Sequence, residues 1–231
     1  MAALELINTT LYSDANLVAY WRWENGSFTV DSKGSYTLTN NGPVGESTAI
    51  FGDCADFGTV NTTKYFSVSS QILNNGANAT FFFWVKDTVI YWISSKAGVY
   101  ENYIASGASY IAFHSHHTDG TDDDFGANAT IDTGLHFIAI TQKVSGSDLI
   151  KTVFYDGVNI GSKTVAGKTM NAWESPFYIG RVYYEGTSGL GKIDDFAIFT
   201  RVLSDTEISN HYNGLDGNSV HISNLAALGV G

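Results

Sequence analysis

The sequence predicts an all-β fold: a two-sheet antiparallel β-sandwich of the jelly-roll type, with one short C-terminal helix. Short apolar or alternating segments recur along the whole chain, and glycine or Asx turns separate most of them. The 231 residues include 24 glycines and only 2 prolines. Aromatic residues reach 14%, whereas charged residues make up only 15%. Since no repeat, linker or compositional break divides the chain, the sequence predicts a single domain.

The candidate strands are four to nine residues long, as expected for a sandwich. They are residues 17–23, 35–40, 47–51, 65–69, 80–86, 89–94, 102–105, 110–115, 127–131, 136–142, 150–155, 159–164, 177–180 and 191–199. Asp156-Gly157 lies between two of them and can supply the two positive φ angles of a type I′ turn. This pair therefore predicts a β-hairpin.

One segment carries the signals of a short helix. Ser204 is placed as the N-cap and Glu207 as its capping-box partner. Leu203 and Ile208 have the spacing of a hydrophobic staple, and Gly214 is a C-terminal stop signal. The sequence therefore predicts a helix that begins after Ser204.

Charge and composition exclude several classes of partner. The net charge is −11, with only 12 lysines and arginines and no basic cluster. Nucleic acid is excluded because phosphate neutralisation needs concentrated basic residues, and an anionic membrane surface is disfavoured for the same reason. Membrane insertion is not expected, because no run approaches the ~20 apolar residues of a spanning helix. The single Cys54 cannot form an internal disulfide, and residues 1–10 lack the pattern of a secretory signal.

Asp194 and Asp195 stand side by side inside an otherwise apolar strand. A carboxylate held against an apolar sheet needs a partner, most simply a cation. Strand alternation places the two side chains on opposite faces, so only one of them is expected to reach a shared site. Asp194 is the favoured one.

Five segments, in this order, carry a resemblance to a known family. They are LVAYWRWENGSFTVDSKG, ATFFFWVK, TGLHFIAITQK, VFYDGVNIGS and GKIDDFAIFTRVLSDTEISNHYNG. Together they resemble the laminin G-like, concanavalin A-like lectin superfamily. The resemblance implies a jelly-roll domain over residues 17–214, flanked by arms at 1–16 and 215–231. It says little about function, because this fold serves lectins, enzymes, adhesins and virion proteins.

The resemblance also implies a structural calcium ion between the closing strand and an early acidic loop. The matching residues are Asp194 on the strand, Glu24 and Asp31 near the loop, and the backbone of Gly34. Calcium binds several oxygens, and backbone carbonyls are among them. The alternative is that Asp194 hydrogen-bonds to backbone or solvent without a metal.

The segment FHSHHTDGTDDDFG is the most unusual one. His114 and His116 are two residues apart on a predicted strand, so they share a face. Two imidazoles and a carboxylate such as Asp119 can bind a transition metal, but the spacing matches no standard motif. The run Asp122–Asp124 does not follow the ligand spacing of a calcium-binding EF-hand. A solvated loop is therefore expected. If the sandwich has a ligand site, this loop is a candidate for its rim.

Aromatic side chains near this segment are candidates for sugar contact. Tyr110 precedes it, whereas Trp173 and Tyr183 belong to later loops or strand ends. Sugar rings stack on exposed aromatic faces, while Asp and His bond their hydroxyl groups. The sequence thus predicts ligand contacts from Tyr110, His114, His116, Asp119, Trp173 and Tyr183.

No catalytic pattern supports an enzyme. The alternating carboxylates that place two acids about 5–5.5 Å apart in retaining glycosidases are missing, and so is the serine elbow of hydrolases. Two non-catalytic functions remain open. One is a glycan-binding, lectin-like surface module; the other is a structural decoration protein of a virion or cell surface, which binds protein subunits through its terminal arms. Either function places the protein at a virion or extracellular surface; a glycan-active hydrolase is disfavoured.

Overall fold

The alternating segments of the sequence become strands of two antiparallel sheets that pack face to face, which confirms the predicted sandwich. The computed structural model describes residues 9–48, 52–58, 63–87, 91–97, 100–107, 109–181 and 191–214. Within these residues one sheet has eight strands and the other has seven. Neither described helix is long or apolar enough to span a membrane.

The larger sheet is built around the closing strand and its neighbours. In spatial order its strands are β13 (Val158–Val165), β12 (Asp148–Tyr155), β11 (Leu135–Ser145), β6 (Ala79–Lys86), β15 (Gly191–Phe199), β4 (Cys54–Gly58) and β3 (Gly45–Ser47), with β1 (Leu17–Trp21) also paired to β15. The β12–β13 hairpin turns at Asp156 and Gly157, whose φ angles of 50° and 76° confirm the predicted turn.

The smaller sheet forms the opposite layer. In spatial order its strands are β10 (Asp122–Asn128), β9 (Tyr110–His116), β8 (Tyr100–Ser106), β7 (Tyr91–Ala97), β14 (Phe177–Ile179), β5 (Tyr65–Val68) and β2 (Thr39–Asn41). This order places the histidine and aspartate segment on the two strands at one edge.

The strand β6 is buried on both faces, which explains its nearly continuous apolar sequence. Phe81 and Phe83 point into the core between the sheets. Phe82 and Trp84 point outward and are covered by a second cluster that includes Ile208. This second cluster lies under the helix α2 (Asp205–Asn213), so α2 covers the outer face of the larger sheet.

The helix α2 has the predicted ends. Ser204 accepts a hydrogen bond from the amide of Glu207, and the Glu207 carboxylate accepts one from the amide of Ser204. Gly214 ends the helix in the left-handed conformation. Arg201 joins this helix to the N-terminal region, because its guanidinium pairs with both Glu207 and Asp14 at 2.6 Å.

Several strands differ from the sequence prediction. The predicted strand 35–40 is observed only at Thr39–Asn41, and the predicted strand 127–131 ends at Asn128. Residues 122–124, expected in a solvated loop, belong to β10, and the strand Cys54–Gly58 was not predicted. Part of the predicted N-terminal arm packs on its own domain: the short helix α1 (Thr9–Tyr12) buries Leu11 in the outward cluster of the larger sheet. Residues 1–8 and 215–231 lie outside the described residues, so assembly through the arms stays a prediction.

Candidate functional site

The outward face of the β9–β10 hairpin carries a polar and aromatic ladder. Ile111 and Phe113 point into the core, so the alternate residues of β9 face outward. The outward residues form four cross-strand pairs: Tyr110 with Asn128, Ala112 with Gly126, His114 with Asp124, and His116 with Asp122. The prediction that His114 and His116 share one face is therefore confirmed.

Two aspartates hold these histidines in place. The Nδ1 atom of His114 donates to Asp124 Oδ1 at 2.7 Å, and the Nδ1 atom of His116 donates to Asp122 Oδ1 at 2.6 Å. The Nε2 atom of His114 lies 3.5 Å from the same oxygen of Asp122. Because both carboxylates come from the partner strand, the register of the hairpin fixes the orientation of both rings.

The neighbouring strand β8 adds an aromatic ring. Tyr103 pairs with His114, and the two rings stack in parallel with their centres 4.7 Å apart. Between this stack and Tyr110 the outward positions of the hairpin are Ala112 and Gly126. We call Tyr103, Tyr110, Ala112, His114, Asp124 and Gly126 the outer-face site.

Tyr110 is the most exposed aromatic residue of this site, with 46% of its surface accessible. Glycines leave room for its ring on two sides. A Cβ atom on Gly107 would lie only 2.5 Å from Tyr110 Cε1, whereas one on Gly126 would lie 3.9 Å from Cδ2. The absence of a side chain at Gly107 is therefore required for this ring position.

A buried lysine supports the site from beneath. Lys151 of β12 crosses from the larger sheet and has a fully buried side chain. Its Nζ atom donates to Asp123 Oδ1 at 2.8 Å and to the carbonyl oxygens of Asp123 and Phe113 at 2.9 and 3.2 Å. Burial lowers the pKa of Lys151 to about 8, although Asp123 opposes this shift. The ammonium group thus uses its three donors to tie β9 and β10 to the opposite sheet.

Four predicted ligand residues do not join the outer-face site. His116 is buried, and its ring is held by Asp122. Asp119 lies in the turn before β10, where hydrogen bonds from Lys168 and Thr121 hold its pKa below the usual range. Trp173 is fully buried and packs against Phe81, so no face of its ring is open to a sugar. Tyr183 lies outside the described residues.

A serine and a histidine form a hydrogen-bonded pair under the same hairpin, but they are closed to substrate. Ser115 Oγ and His117 Nε2 are 3.0 Å apart. Both residues are buried, and burial lowers the pKa of His117. A nucleophile must reach its substrate, so this pair has a structural function.

The early acidic loop is held together by Asp31. Its Oδ1 atom accepts hydrogen bonds from the amides of Tyr20 and Lys33, both at 2.8 Å. Its Oδ2 atom accepts from the amides of Ser35 and Tyr36 at 3.1 and 3.0 Å. The amide of Gly34 donates to the carbonyl oxygen of Asp31. Four amide donors thus use the acceptor positions of the Asp31 carboxylate, which leaves it unsuited to calcium as it stands.

A bulge in β15 places the aspartate pair differently from the predicted alternation. Asp194 pairs with Trp84 but Ala197 pairs with Phe82, so β15 contains one extra residue, and Asp195 has a φ angle of 48°. Asp195 consequently accepts a hydrogen bond from the hydroxyl of Tyr20, whose side chain belongs to the outward cluster. Both aspartates are buried. The expectation that Asp194 and Asp195 lie on opposite faces is therefore wrong, because the bulge interrupts the alternation.

The charges around this bulge are only partly compensated by their protein neighbours. Burial raises the pKa of Asp195 to about 7, while the Tyr20 hydroxyl and Arg22 act in the opposite direction. Burial also raises the pKa of Glu24. Among the described residues, no group of three or more His, Cys, Asp or Glu side chains is arranged to hold a metal ion. The predicted set of calcium ligands therefore does not come together in this conformation.

The sequence analysis did not assign a ligand contact to Tyr103, and it placed the carboxylate partners of the histidines in a loop. The spacing carried a signal for the aspartates, whereas Tyr103 reaches His114 only through the pairing of β8 with β9. His114 and His116 alternate on β9, and Asp122 and Asp124 alternate on β10, with the five residues 117–121 between the strands. A hairpin with this turn sets the two histidines opposite the two aspartates.

Sequence comparison agrees with this architecture. A laminin G-type family profile, described as the concanavalin A-like lectin/glucanases superfamily, matches residues 57–209. Because the match covers more than half of the chain, the protein belongs to this superfamily. No curated protein sequence matches the chain.

Solved structures share the fold at low sequence identity. The botulinum neurotoxin serotype G binding domain superposes with a TM-score of 0.70 at 15% identity, covering 87% of this chain and 51% of that one. The binding domain of Paraclostridial Mosquitocidal Protein 1 gives 0.68 at 16% identity, with coverages of 87% and 52%. Domain 4 of AbnA, an arabinanase from Geobacillus stearothermophilus in complex with arabinotriose, gives 0.64 at 15% identity, with coverages of 87% and 100%.

The coverages differ in a way that matters for function. This chain spans about half the length of the two toxin binding domains, but it covers the whole of the arabinanase domain. The similarity therefore establishes a shared sandwich, and the ligand must be argued from the side chains of this chain.

Proposed function

We propose that the protein is a non-catalytic, lectin-like module that binds a glycan at the outer-face site. The observation that carries this proposal is the combination of an exposed tyrosine, a floor of small residues and a fixed His114–Asp124 pair on one sheet face. The fold supports it: AbnA domain 4 has the same sandwich in a structure with arabinotriose. The toxin structures, too, are binding domains by name.

The side chains of the site match what a sugar needs. Tyr110 offers an exposed ring for stacking on an apolar sugar face. Ala112 and Gly126 leave the sheet surface low beside it, so a ring can approach the backbone. Tyr110 and His114 are four residues apart, or about 13 Å along the strand, which is room for one or two sugar units. His114 and Asp124 then supply a donor and an acceptor for hydroxyl groups.

Replacing Tyr110 with alanine is expected to weaken binding of the best oligosaccharide from a glycan array about tenfold or more, because an exposed stacking ring carries much of such an interface. Isothermal titration measures the affinity. Tyr12→Ala is the matched control, since Tyr12 is 39% exposed and packs against Tyr20 on the other sheet. Equal losses in the two variants, or no loss in Tyr110→Ala, would overturn the assignment of the site.

A structural calcium ion at Asp194 and Glu24 stays a separate proposal, based on the need to compensate buried carboxylates. If it binds, calcium at a hundredfold excess over its Kd should add about 2.7 kcal/mol to the free energy of unfolding. Melting curves with chelator and with excess calcium measure this difference. Asp194→Asn should abolish the response and Asp122→Asn should keep it. Identical melting curves in chelator and calcium would exclude the ion.

A further inference from the structure

A second cluster lies at the other end of the outward face of the seven-stranded sheet. Tyr65 of β5 and Tyr178 of β14 face outward, because the adjacent Phe66 and Phe177 belong to the core. Their rings meet edge to face with centres 5.6 Å apart. The guanidinium carbon of Arg181 lies 4.5 Å from the Tyr65 ring centre and 5.4 Å from the Tyr178 ring centre.

The backbone holds Arg181 in this place. Gly180 adopts a φ angle of 80°, and a Cβ atom there would lie 2.2 Å from Phe57 Cε1, so only glycine fits this turn. The amide of Gly180 donates to the carbonyl oxygen of Trp92 at 2.8 Å. The carbonyl oxygen of Arg181 in turn accepts a hydrogen bond from Ser94 Oγ at 2.7 Å. Arg181 is therefore fixed at both its backbone and its side chain.

The guanidinium has aromatic neighbours but no anionic partner in the described part of the chain. No described carboxylate forms an ion pair with Arg181, and its buried Nε atom has no hydrogen-bond acceptor. This is unusual in a protein with 23 acidic residues against 12 basic ones. Aromatic contact stabilises the flat face of a guanidinium but leaves its in-plane N–H donors unused. A buried donor without an acceptor is unfavourable, so an incoming anion would satisfy it.

We propose that Arg181, Tyr65 and Tyr178 form an anion subsite that binds the carboxylate or sulfate group of an acidic sugar. The planar fork of arginine matches the two oxygens of such a group. The partly exposed ring of Tyr65 can contact the sugar beside it, while the buried Tyr178 supports the guanidinium from below. The subsite uses none of the residues of the outer-face site. That the anion belongs to a sugar rests on the proposed function, whereas the anion subsite itself does not.

The test compares three oligosaccharides of equal length: a uronic acid oligomer, the same oligomer with its carboxyl groups reduced to alcohols, and a sulfated oligomer. Isothermal titration with the full chain should give at least about tenfold tighter binding of the uronic acid oligomer than of its reduced form. Arg181→Gln should abolish this difference. Lys143→Gln is the matched control, because it removes one exposed positive charge on β11 and should keep the difference.

Two further measurements distinguish the chemistry of the anion and the contact that binds it. Arg181→Lys should retain only part of the preference, because an ammonium group cannot form the bidentate contact. If binding of the sulfated oligomer depends on Arg181, the subsite accepts sulfate. If binding of the sulfated oligomer does not depend on Arg181, the subsite is specific for carboxylate. Equal affinity of the wild type for the acidic and reduced oligomers, or an unchanged preference in Arg181→Gln, would overturn the proposal. Loss of neutral-sugar binding in Tyr110→Ala together with an intact anion preference would separate this subsite from the outer-face site.

Discussion

Replacing Lys151 with methionine is expected to lower the free energy of unfolding by about 3 kcal/mol, because it leaves the carboxylate of Asp123 and two carbonyl oxygens without their buried donor. The ammonium group makes three hydrogen bonds to β9 and β10, and methionine makes none. Chemical denaturation measures the loss. Glycan affinity should also fall, since Asp123 lies between the two aspartates that orient the histidines of the ladder.

Lys163→Met is the matched control for this effect. Lys163 pairs with the same carboxylate, Asp123, at 2.6 Å, but its side chain is 40% exposed. Exposed pairs contribute at most about 1 kcal/mol, so the control should lose much less stability than Lys151→Met. Similar losses in both variants would show that burial of Lys151 is not what makes its contacts important.

The pH dependence of the Lys151 effect follows from its lowered pKa of about 8. Between that value and about 10.4, the unfolded chain keeps the proton that the folded chain has released. The unfolded state then binds more protons, so this residue makes the folded state more stable as the pH rises from 8 to 10. The stability difference between wild type and Lys151→Met should therefore grow over this range.

Replacing Tyr20 with phenylalanine is expected to lower the free energy of unfolding by about 2–3 kcal/mol, measured in chelator by chemical denaturation. The hydroxyl of Tyr20 donates to the buried carboxyl group of Asp195, and phenylalanine leaves that group without this donor. Tyr12→Phe removes a hydroxyl that donates to the carbonyl oxygen of Ser32 in an exposed setting. That control should lose less than about 1 kcal/mol, and equal losses would contradict the account.

The same variant has a defined pH dependence. The folded-state pKa of Asp195 is raised to about 7, so its ionisation costs stability as the pH rises from about 4 through 7. The Tyr20 hydroxyl favours the ionised form, and its removal raises this pKa further. The loss of stability in Tyr20→Phe should therefore be larger at pH 8 than at pH 4.

Elements with a complete local signal were predictable from the sequence. The capping box of Ser204 and Glu207 and the turn at Asp156-Gly157 each form within a few neighbouring residues. Their geometry depends on backbone φ angles and short-range hydrogen bonds, which tertiary packing has little reason to change. Both predictions are confirmed.

The candidate site was only half predictable, because its partners come from different strands. An aspartate run is unfavourable in an isolated strand, so Asp122–Asp124 was assigned to a loop. In the structure these carboxylates pair with His114, His116, Lys151 and Lys163. Each of these contacts depends on hairpin register or on the opposite sheet, neither of which a period of two residues reveals.

Two other differences arose from burial and from backbone irregularity. Trp173 was predicted to face a ligand, but its indole N–H donates to the side chain of Gln142 inside the core at 3.0 Å. Asp195 departs from alternation because the bulge in β15 inserts an extra residue. A strand pattern alone does not locate such a bulge, so it gave the wrong face for this carboxylate.

The central claim is that a glycan binds the outward face of β8, β9 and β10. The most direct measurement is an NMR titration of isotope-labelled protein with the best-binding oligosaccharide, in which the backbone amide of each residue reports its own shift. The account predicts that the largest shifts occur at Tyr103, Tyr110, His114, Asp124 and Gly126 and that the amides of α2 stay unchanged. The largest shifts at α2, or at the outward cluster of the larger sheet, would contradict it.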